Sequence, residues 1–360
     1  MKTYFLVILL LFVLPITSFP QGNTKVSIQS NMFYINGKPT YAGRTWQGNK
    51  IEGLLFNSRM VQGIFDDANP ETRPQFNYPD TDKWDPKRNT KEFVAAMPDW
   101  YAHGMLAFTL NLQGGSPIGY GNKDWRNSAF DAQGNIKKNY FKRLEKILKK
   151  ADKLGMVVIL GYFYFGQDQY LEDEKAVLKA VDATTQWILD KGYENVLVEV
   201  NNECNVRYDH EILKPNQVHH LIARISDLAK SRNKTLLVST SYGGGTLPKP
   251  NVIKASDFIL LHGNGVGEPE KITAMVDKTQ KVEGYRDQPI VFNEDDHYNF
   301  EKKNNNMVAA TKAYASWGFF DFRRKGEAFE EGYQTVPVDW RINSKRKKAF
   351  FDKVKEITGF

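Results

Sequence analysis

The sequence predicts an α/β fold, a closed (β/α)8 TIM barrel with a small β-hairpin ahead of it, and three observations carry that expectation. Short apolar runs alternate with longer amphipathic stretches, the pattern of a parallel sheet covered by helices. Eight such units fit in about 320 residues, the size of one large barrel. The glycine pattern that binds phosphate after the first strand of an open, doubly wound sheet is missing.

Taken in chain order, residues 1–20 read MKTYFLVILLLFVLPITSFP. Lys2 gives the positive start, Phe5 to Leu14 the apolar run and Thr17-Ser18 the small-residue approach to cleavage, so a secretory signal is expected. The run is too short to span a bilayer, and nothing later replaces it. No cysteine follows it, which speaks against a lipid-modified N-terminus. An exported protein, periplasmic or extracellular, is expected, with residues 21–360 forming a single catalytic barrel domain undivided by any linker. Val26–Tyr34, Asn36-Gly37 and Lys38–Thr40 read as the hairpin, placed to close the barrel floor.

The barrel strands are expected at Pro39–Arg44, Met105–Asn111, Met156–Phe163, Val196–Asn201, Thr235–Thr240, Phe258–His262, Pro289–Glu294 and Ala313–Phe319. The run Val157–Leu160 is apolar throughout, as a strand buried on both faces must be. Helices are expected at Lys91–His103, Lys137–Leu154, Asp173–Lys191, Pro215–Arg232, Pro269–Gly284, Asn304–Tyr314 and Ser344–Ile357, with a short Pro-bearing one near Leu247–Lys254. In the second of these Tyr140, Leu144, Ile147, Leu148 and Ala151 fall at helical spacing. Pro215 suits a first helical turn, and Gly155 and Gly192 suit helix ends. The connection from about Trp46 to Asn89 holds Trp46, Phe56, Phe65, Phe76, Tyr78 and Trp84, which favours a folded wall over the barrel mouth.

Composition narrows the function. The chain is 41% hydrophobic, a normal globular value, and 13% aromatic, which allows sugar-stacking platforms beyond core filling. Formal charge is +7, falling to +6 without Lys2, and much of the excess lies in Lys345-Arg346-Lys347-Lys348, a run that reads as a solvated helix face. Nucleic acid is excluded as the expected partner of an exported chain lacking a binding motif. The only cysteine, Cys204, cannot form an internal disulfide and reads as a packing residue.

Reactive side chains in a barrel stand at the C-terminal ends of its strands. The fourth run ends Val198-Glu199-Val200-Asn201-Asn202-Glu203, and the seventh ends Ile290-Val291-Phe292-Asn293-Glu294. Two nearly opposite strands thus each deliver a carboxylate where the strand stops. Glycoside cleavage needs such a pair: one group protonated to release the leaving oxygen, the other ionised to attack the anomeric carbon or activate water.

Asn-Glu at the end of strand four with Glu at the end of strand seven resembles the clan of retaining barrel glycosidases that includes the cellulase-like family 5. The resemblance implies hydrolysis of a poly- or oligosaccharide, expected to be β-linked, by double displacement. Glu203 resembles the clan's acid/base, Glu294 its nucleophile, and Asn202 the residue that bonds the neighbouring sugar hydroxyl. His262 ends strand six, where the clan often has a His followed by a nucleophile-holding Tyr; this chain has Asn264 in that place. Trp317 resembles the clan's floor tryptophan. The clan's strand-two arginine is not matched: Asn111 and Gln113 stand there, and Arg44, ending the expected first strand, is offered for its role. Tyr164 and Gln167 are expected to line the cleft, and Trp46 and Trp84 are weaker candidates for sugar platforms.

No metal or cofactor is expected, and a monomer acting on carbohydrate is. Two other readings stay open. Glu294 with Asp296 and His297 would suit a metal-dependent hydrolase, and a barrel that binds sugar without cleaving it would keep the cleft but not need both carboxylates.

Overall fold

The computed structural model describes residues 23–120 and 124–360; the expected leader lies outside them. Eight short parallel strands form a ring: β1 (Asn57–Ser58), β2 (Ala107–Asn111), β3 (Val157–Tyr164), β4 (Val196–Asn202), β5 (Leu237–Ser239), β6 (Ile259–His262), β7 (Ile290–Glu294) and β8 (Gly318–Phe319). Ladders join β2 to β5 in order, β6 to β7, and β8 to β1. Single parallel bridges, Arg59 with Thr109 and Val291 with Ser316, join β1 to β2 and β7 to β8. The last seam, between β5 and β6, is held by Asp257: its N–H donates to the Val238 carbonyl at 2.9 Å, and its carboxylate accepts from the Val238 N–H at 2.8 Å. The structure is therefore the TIM barrel the alternation predicts.

Eight α-helices among the described residues surround the ring: α1 (Pro86–Ala102), α2 (Lys138–Leu154), α3 (Glu174–Lys191), α4 (Val218–Ser231), α5 (Pro250–Ala255), α6 (Pro269–Thr279), α7 (Asn306–Lys312) and α8 (Lys345–Thr358). Their ends follow the local chemistry. Asp85 caps α1 by accepting from the Lys87 and Arg88 N–H groups, with Pro86 in the first turn. Gly155 and Gly192 end α2 and α3 in the left-handed conformation. The predicted stripe Tyr140, Leu144, Ile147, Leu148 and Ala151 is the buried face of α2. Every residue of β3 is buried, and each aliphatic side chain there contributes about 1.5–3 kcal/mol through removal from water. No helix among the described residues is long and apolar enough to cross a membrane.

The first barrel strand corrects the sequence reading. Pro39 belongs to a three-stranded antiparallel sheet, Val26–Gln29, Met32–Ile35 and Lys38–Pro39, and the chain turns at Tyr41 and Gly43 before reaching Arg44. The strand that enters the ring is Asn57–Ser58, within the supposed long connection. Its two polar residues are buried, Asn57 Nδ2 donating to the Leu55 and Phe292 carbonyls and Ser58 Oγ to that of Phe319, and that hides the apolar signature of a buried strand.

The antiparallel sheet closes the floor as expected. The Val26 N–H donates to the Glu194 carbonyl just before β4, and the Phe33 N–H to that of Gly53. Gly53, at φ 89°, has no room for a side chain: a Cβ would stand 2.6 Å from Met32 Cγ. At the other end, residues 60–85 do form a folded wall. Phe65, Phe76, Tyr78 and Trp84 pack with Trp125 and Val336 in a cluster separate from the main core.

Candidate active site

Glu203 follows the last residue of β4 in a left-handed backbone conformation, φ 53°, uncommon for a residue with a side chain. Its carboxylate accepts from His262 Nδ1 at 3.0 Å. Glu294 ends β7 on the far side of the ring. Its Oε2 lies 2.9 Å from Arg59 Nη1 and 3.6 Å from His262 Nδ1, and its Oε1 accepts from Asn264 Nδ2 at 2.5 Å. One oxygen of each carboxylate and a ring nitrogen of His262 all fall within 4.8 Å of one another. The two carboxylates thus share one gap, with His262 at its base.

Electrostatics differentiates them. Burial works to raise the Glu203 carboxyl, but the His262 hydrogen bond, the His262 and Arg59 charges and the Gly244 N–H outweigh it and hold Glu203 below the ordinary carboxylate range. Burial and the Glu203 charge raise Glu294, while Arg59, His262 and Asn264 pull against them. Geometry decides the state of Glu294. With a guanidinium on one oxygen and an amide N–H on the other, it is arranged as an acceptor, hence as the anion. Burial works to lower His262, but Glu294 and Glu203 overcome that and raise its imidazole above the usual 6.5.

Arg59 is the residue the sequence reading missed. It follows β1, is buried, and supplies the fixed positive charge sought from Arg44. Its guanidinium carbon lies 5.9 Å from the ring centres of both Tyr164 and Phe320. Once Asn57–Ser58 is recognised as the first strand, Arg59 stands at a strand end like the other site residues; the misplaced strand concealed it. The loop after β5, Ser241-Tyr242-Gly243-Gly244-Gly245, was also missed. Gly244 approaches so closely that an added Cβ would fall 2.2 Å from the Asn264 carbonyl oxygen, and the run of three glycines was its signal.

Of the sequence-predicted site residues, His262 joins the carboxylates directly. Tyr164 reaches the site beside Arg59, its hydroxyl 3.0 Å from Ser116 Oγ. Asn202 and Asn111 end β4 and β2, both buried, and neither amide has a hydrogen-bond partner among the described residues. Gln167 is buried and braces the wall, donating to the Trp125 carbonyl and accepting from the Asn127 N–H.

Arg44, Trp46 and Trp317 lie elsewhere. Arg44 donates to the Glu356 and Ile357 carbonyls at the end of α8, and Trp46 Nε1 donates to the Glu356 carboxylate, so both serve the floor. Trp317 is buried against Phe319 and against Phe350 of α8, with its Nε1 donating to Asp295 at 2.8 Å. Successive strand residues alternate in direction, so Trp317 faces the helix and Phe320, at the end of the same strand, faces Arg59. Trp84 is held in the wall, stacked on Tyr78. The aromatic half-exposed at the mouth is Tyr120, which packs edge-on against Phe320 and Phe322 and donates to Asp296.

The metal-site alternative is not assembled. Glu294 groups with Glu203 and His262, whereas Asp296 and His297 group with Asp295. Asp295 is fully engaged by Trp317, Asn306 and the His297 N–H, and Arg59 already places a fixed cation on Glu294. Cys204 is buried, which pushes its thiol up to about 12 and removes it as a nucleophile at neutral pH.

No family model matches the chain, and no curated protein matches it by sequence. Solved structures do. A glycoside hydrolase family 5 protein from Bacteroides vulgatus is similar over 92% of this chain and 68% of its own, at 13% identity and TM-score 0.53. An endo-1,4-beta-mannanase from Rhizomucor miehei matches over 93% and 99%, at 10% identity and TM-score 0.55. A GH5-4 broad specificity endoglucanase from Bacteroides salanitronis matches over 85% and 93%, at 12% identity and TM-score 0.54. At such identities the likeness establishes the barrel fold.

Proposed function

We propose that this protein is a retaining glycoside hydrolase, with Glu294 as nucleophile and Glu203 as acid/base, acting on a β-linked poly- or oligosaccharide. The observation that carries this reading is the convergence of two carboxylates from opposite strands, with one oxygen of each within 4.8 Å of the other. Double displacement requires carboxyl groups about 5–5.5 Å apart, whereas inversion leaves about 6.5–9.5 Å for a water molecule, so the short gap favours retention. The contacts of Glu294 fit the nucleophile's role. Glu294, faced by Arg59 and Asn264, is set as the anion that attacks the anomeric carbon.

Glu203 must deliver a proton to the departing oxygen. His262 Nδ1, 3.0 Å away with a raised basicity, holds that proton in the unliganded protein, so the Glu203–His262 pair carries one proton between them. Protonation of the leaving oxygen through Glu203 leaves His262 neutral. In the second half-reaction water gives its proton to Glu203 as its oxygen bonds to the anomeric carbon, Glu294 departs as the carboxylate, and the proton count is restored. Asn202 and Asn111, with unengaged amides, and Tyr120, with exposed aromatic surface backed by Phe320, supply the polar and apolar contacts a sugar ring needs. The neighbours named as a mannanase and an endoglucanase suggest β-mannan and β-glucan as first substrates. An N-terminal export signal would bring the protein to such polymers.

Replacing Glu203 by Gln should lower turnover about 10²–10⁴-fold while oligosaccharide binding persists. This is checked by reducing-sugar release and calorimetry on the same polymers, with product anomers followed by NMR. Unchanged turnover in that variant, or inverted product, overturns the mechanism, and binding without cleavage by the unmodified protein turns the reading to a sugar-binding barrel.

A further inference from the structure

We infer that Ser241 is a positioning residue for the Glu203 acid/base, clamping its backbone in the left-handed conformation, with Glu199 fixing the direction of the Ser241 hydroxyl. The inference rests on the reading of Glu203 given above. Three hydrogen bonds carry it. The Glu203 N–H donates to Ser241 Oγ at 2.9 Å, and the next amide, that of Cys204, donates to the Ser241 carbonyl at 2.9 Å. Ser241 Oγ in turn donates to Glu199 Oε1 at 2.5 Å. One residue of the loop after β5 thus takes both amides of the turn that aims Glu203.

The clamp has a reason to exist. Glu203 at φ 53° is a glutamate where glycine or asparagine is the easy choice, and such a conformation persists only where surrounding contacts impose it. A hydroxyl has one proton. Ser241 can accept from the Glu203 N–H reliably only if its own O–H is committed elsewhere, and the buried Glu199 carboxylate takes it. Glu199 is itself braced across the barrel by Asn293 Nδ2, at 3.4 Å, the residue before Glu294. The chain of contacts therefore runs from one carboxylate-bearing strand end to the other beneath the gap. Gly244, three residues beyond Ser241, adds an N–H to the Glu203 carboxylate, so the same loop holds both the backbone and the head group.

The test separates positioning from simple structural support by leaving group. Phenyl and 2,4-dinitrophenyl β-cellobiosides and β-mannobiosides are the probes, because a phenolate of low acidity needs the acid and a dinitrophenolate leaves without it. With Ser241→Ala, kcat/KM on the phenyl glycoside should fall about 10–100-fold and that on the dinitrophenyl glycoside by no more than about threefold. Ser241→Thr, which keeps the hydroxyl, should restore most of the phenyl-glycoside rate. An equal loss on both leaving groups, or no loss on either, overturns the clamp. A crystal structure of Ser241→Ala gives a second measurement independent of turnover: Glu203 should leave the left-handed region and its carboxylate should move off His262. An unchanged Glu203 overturns the clamp even if every probe is inert, whereas inert probes with a displaced Glu203 sink only the hydrolase reading.

Discussion

At the floor of the barrel, Arg44 gives its guanidinium to the carbonyls that end α8, and Trp46 gives its indole N–H to Glu356. At the mouth, Arg59 is more deeply buried yet is held by a single carboxylate, and its Nε and Nη2 find no hydrogen-bond partner among the described residues. Asn111, Asn202 and His262 Nε2 share that condition. An arginine is thus satisfied at one end and left short at the other. Buried polar groups without partners cost free energy, so they persist where something other than stability is served. The floor is built to hold the barrel together and the mouth to meet a ligand.

That contrast can be broken by substitution. Arg59→Ala should have the largest effect. It leaves Glu294 buried without the cation on its Oε2, at about 3–5 kcal/mol of stability, and should lower kcat/KM by at least about 100-fold, with Arg59→Lys restoring part of both because the contact is a single Nη1–Oε2 pair. Denaturant titration and steady-state kinetics on the same samples check this. A stable, active Arg59→Ala protein would remove the distinction between the two ends.

The pH profile sharpens it next. His262 is raised above the usual 6.5 by Glu294 and Glu203, so the proton it holds is retained to higher pH and lost as pH rises through the folded value. The basic limb of kcat/KM should therefore lie above 6.5, and His262→Asn should abolish that limb as well as slow turnover. A limb at or below 6.5 in the unmodified protein contradicts the arrangement. Trp317→Phe is smaller in effect: it removes a donor from Asp295 and should cost about 1–3 kcal/mol by thermal melting, with KM unchanged. Arg44→Ala should be smallest, about 1 kcal/mol for a partly exposed guanidinium, and silent in kinetics.

Much of this was legible beforehand. Glu203, Glu294 and His262 were readable because each closes an apolar run, and the end of a buried run in a barrel is a site position wherever the chain folds this way. Trp317 was misread because an aromatic at a strand end can face either way, and a one-residue step reverses the face. Asn264 was noted as a departure from the expected tyrosine; only its 2.5 Å contact with Glu294 shows that an amide donates there.

The sequence by itself determined the alternation of buried strands and amphipathic helices, the hairpin turn at Asn36-Gly37 and the two carboxylates at their strand ends, since each is written in side chains a few residues apart. Tertiary structure alone decided that Asn57–Ser58 is the first strand, that Arg59 rather than Arg44 meets Glu294, and that Ser241 grips Glu203. Those contacts join segments 38 to 261 residues apart, and a strand whose polar groups are satisfied by distant partners carries no local mark of burial.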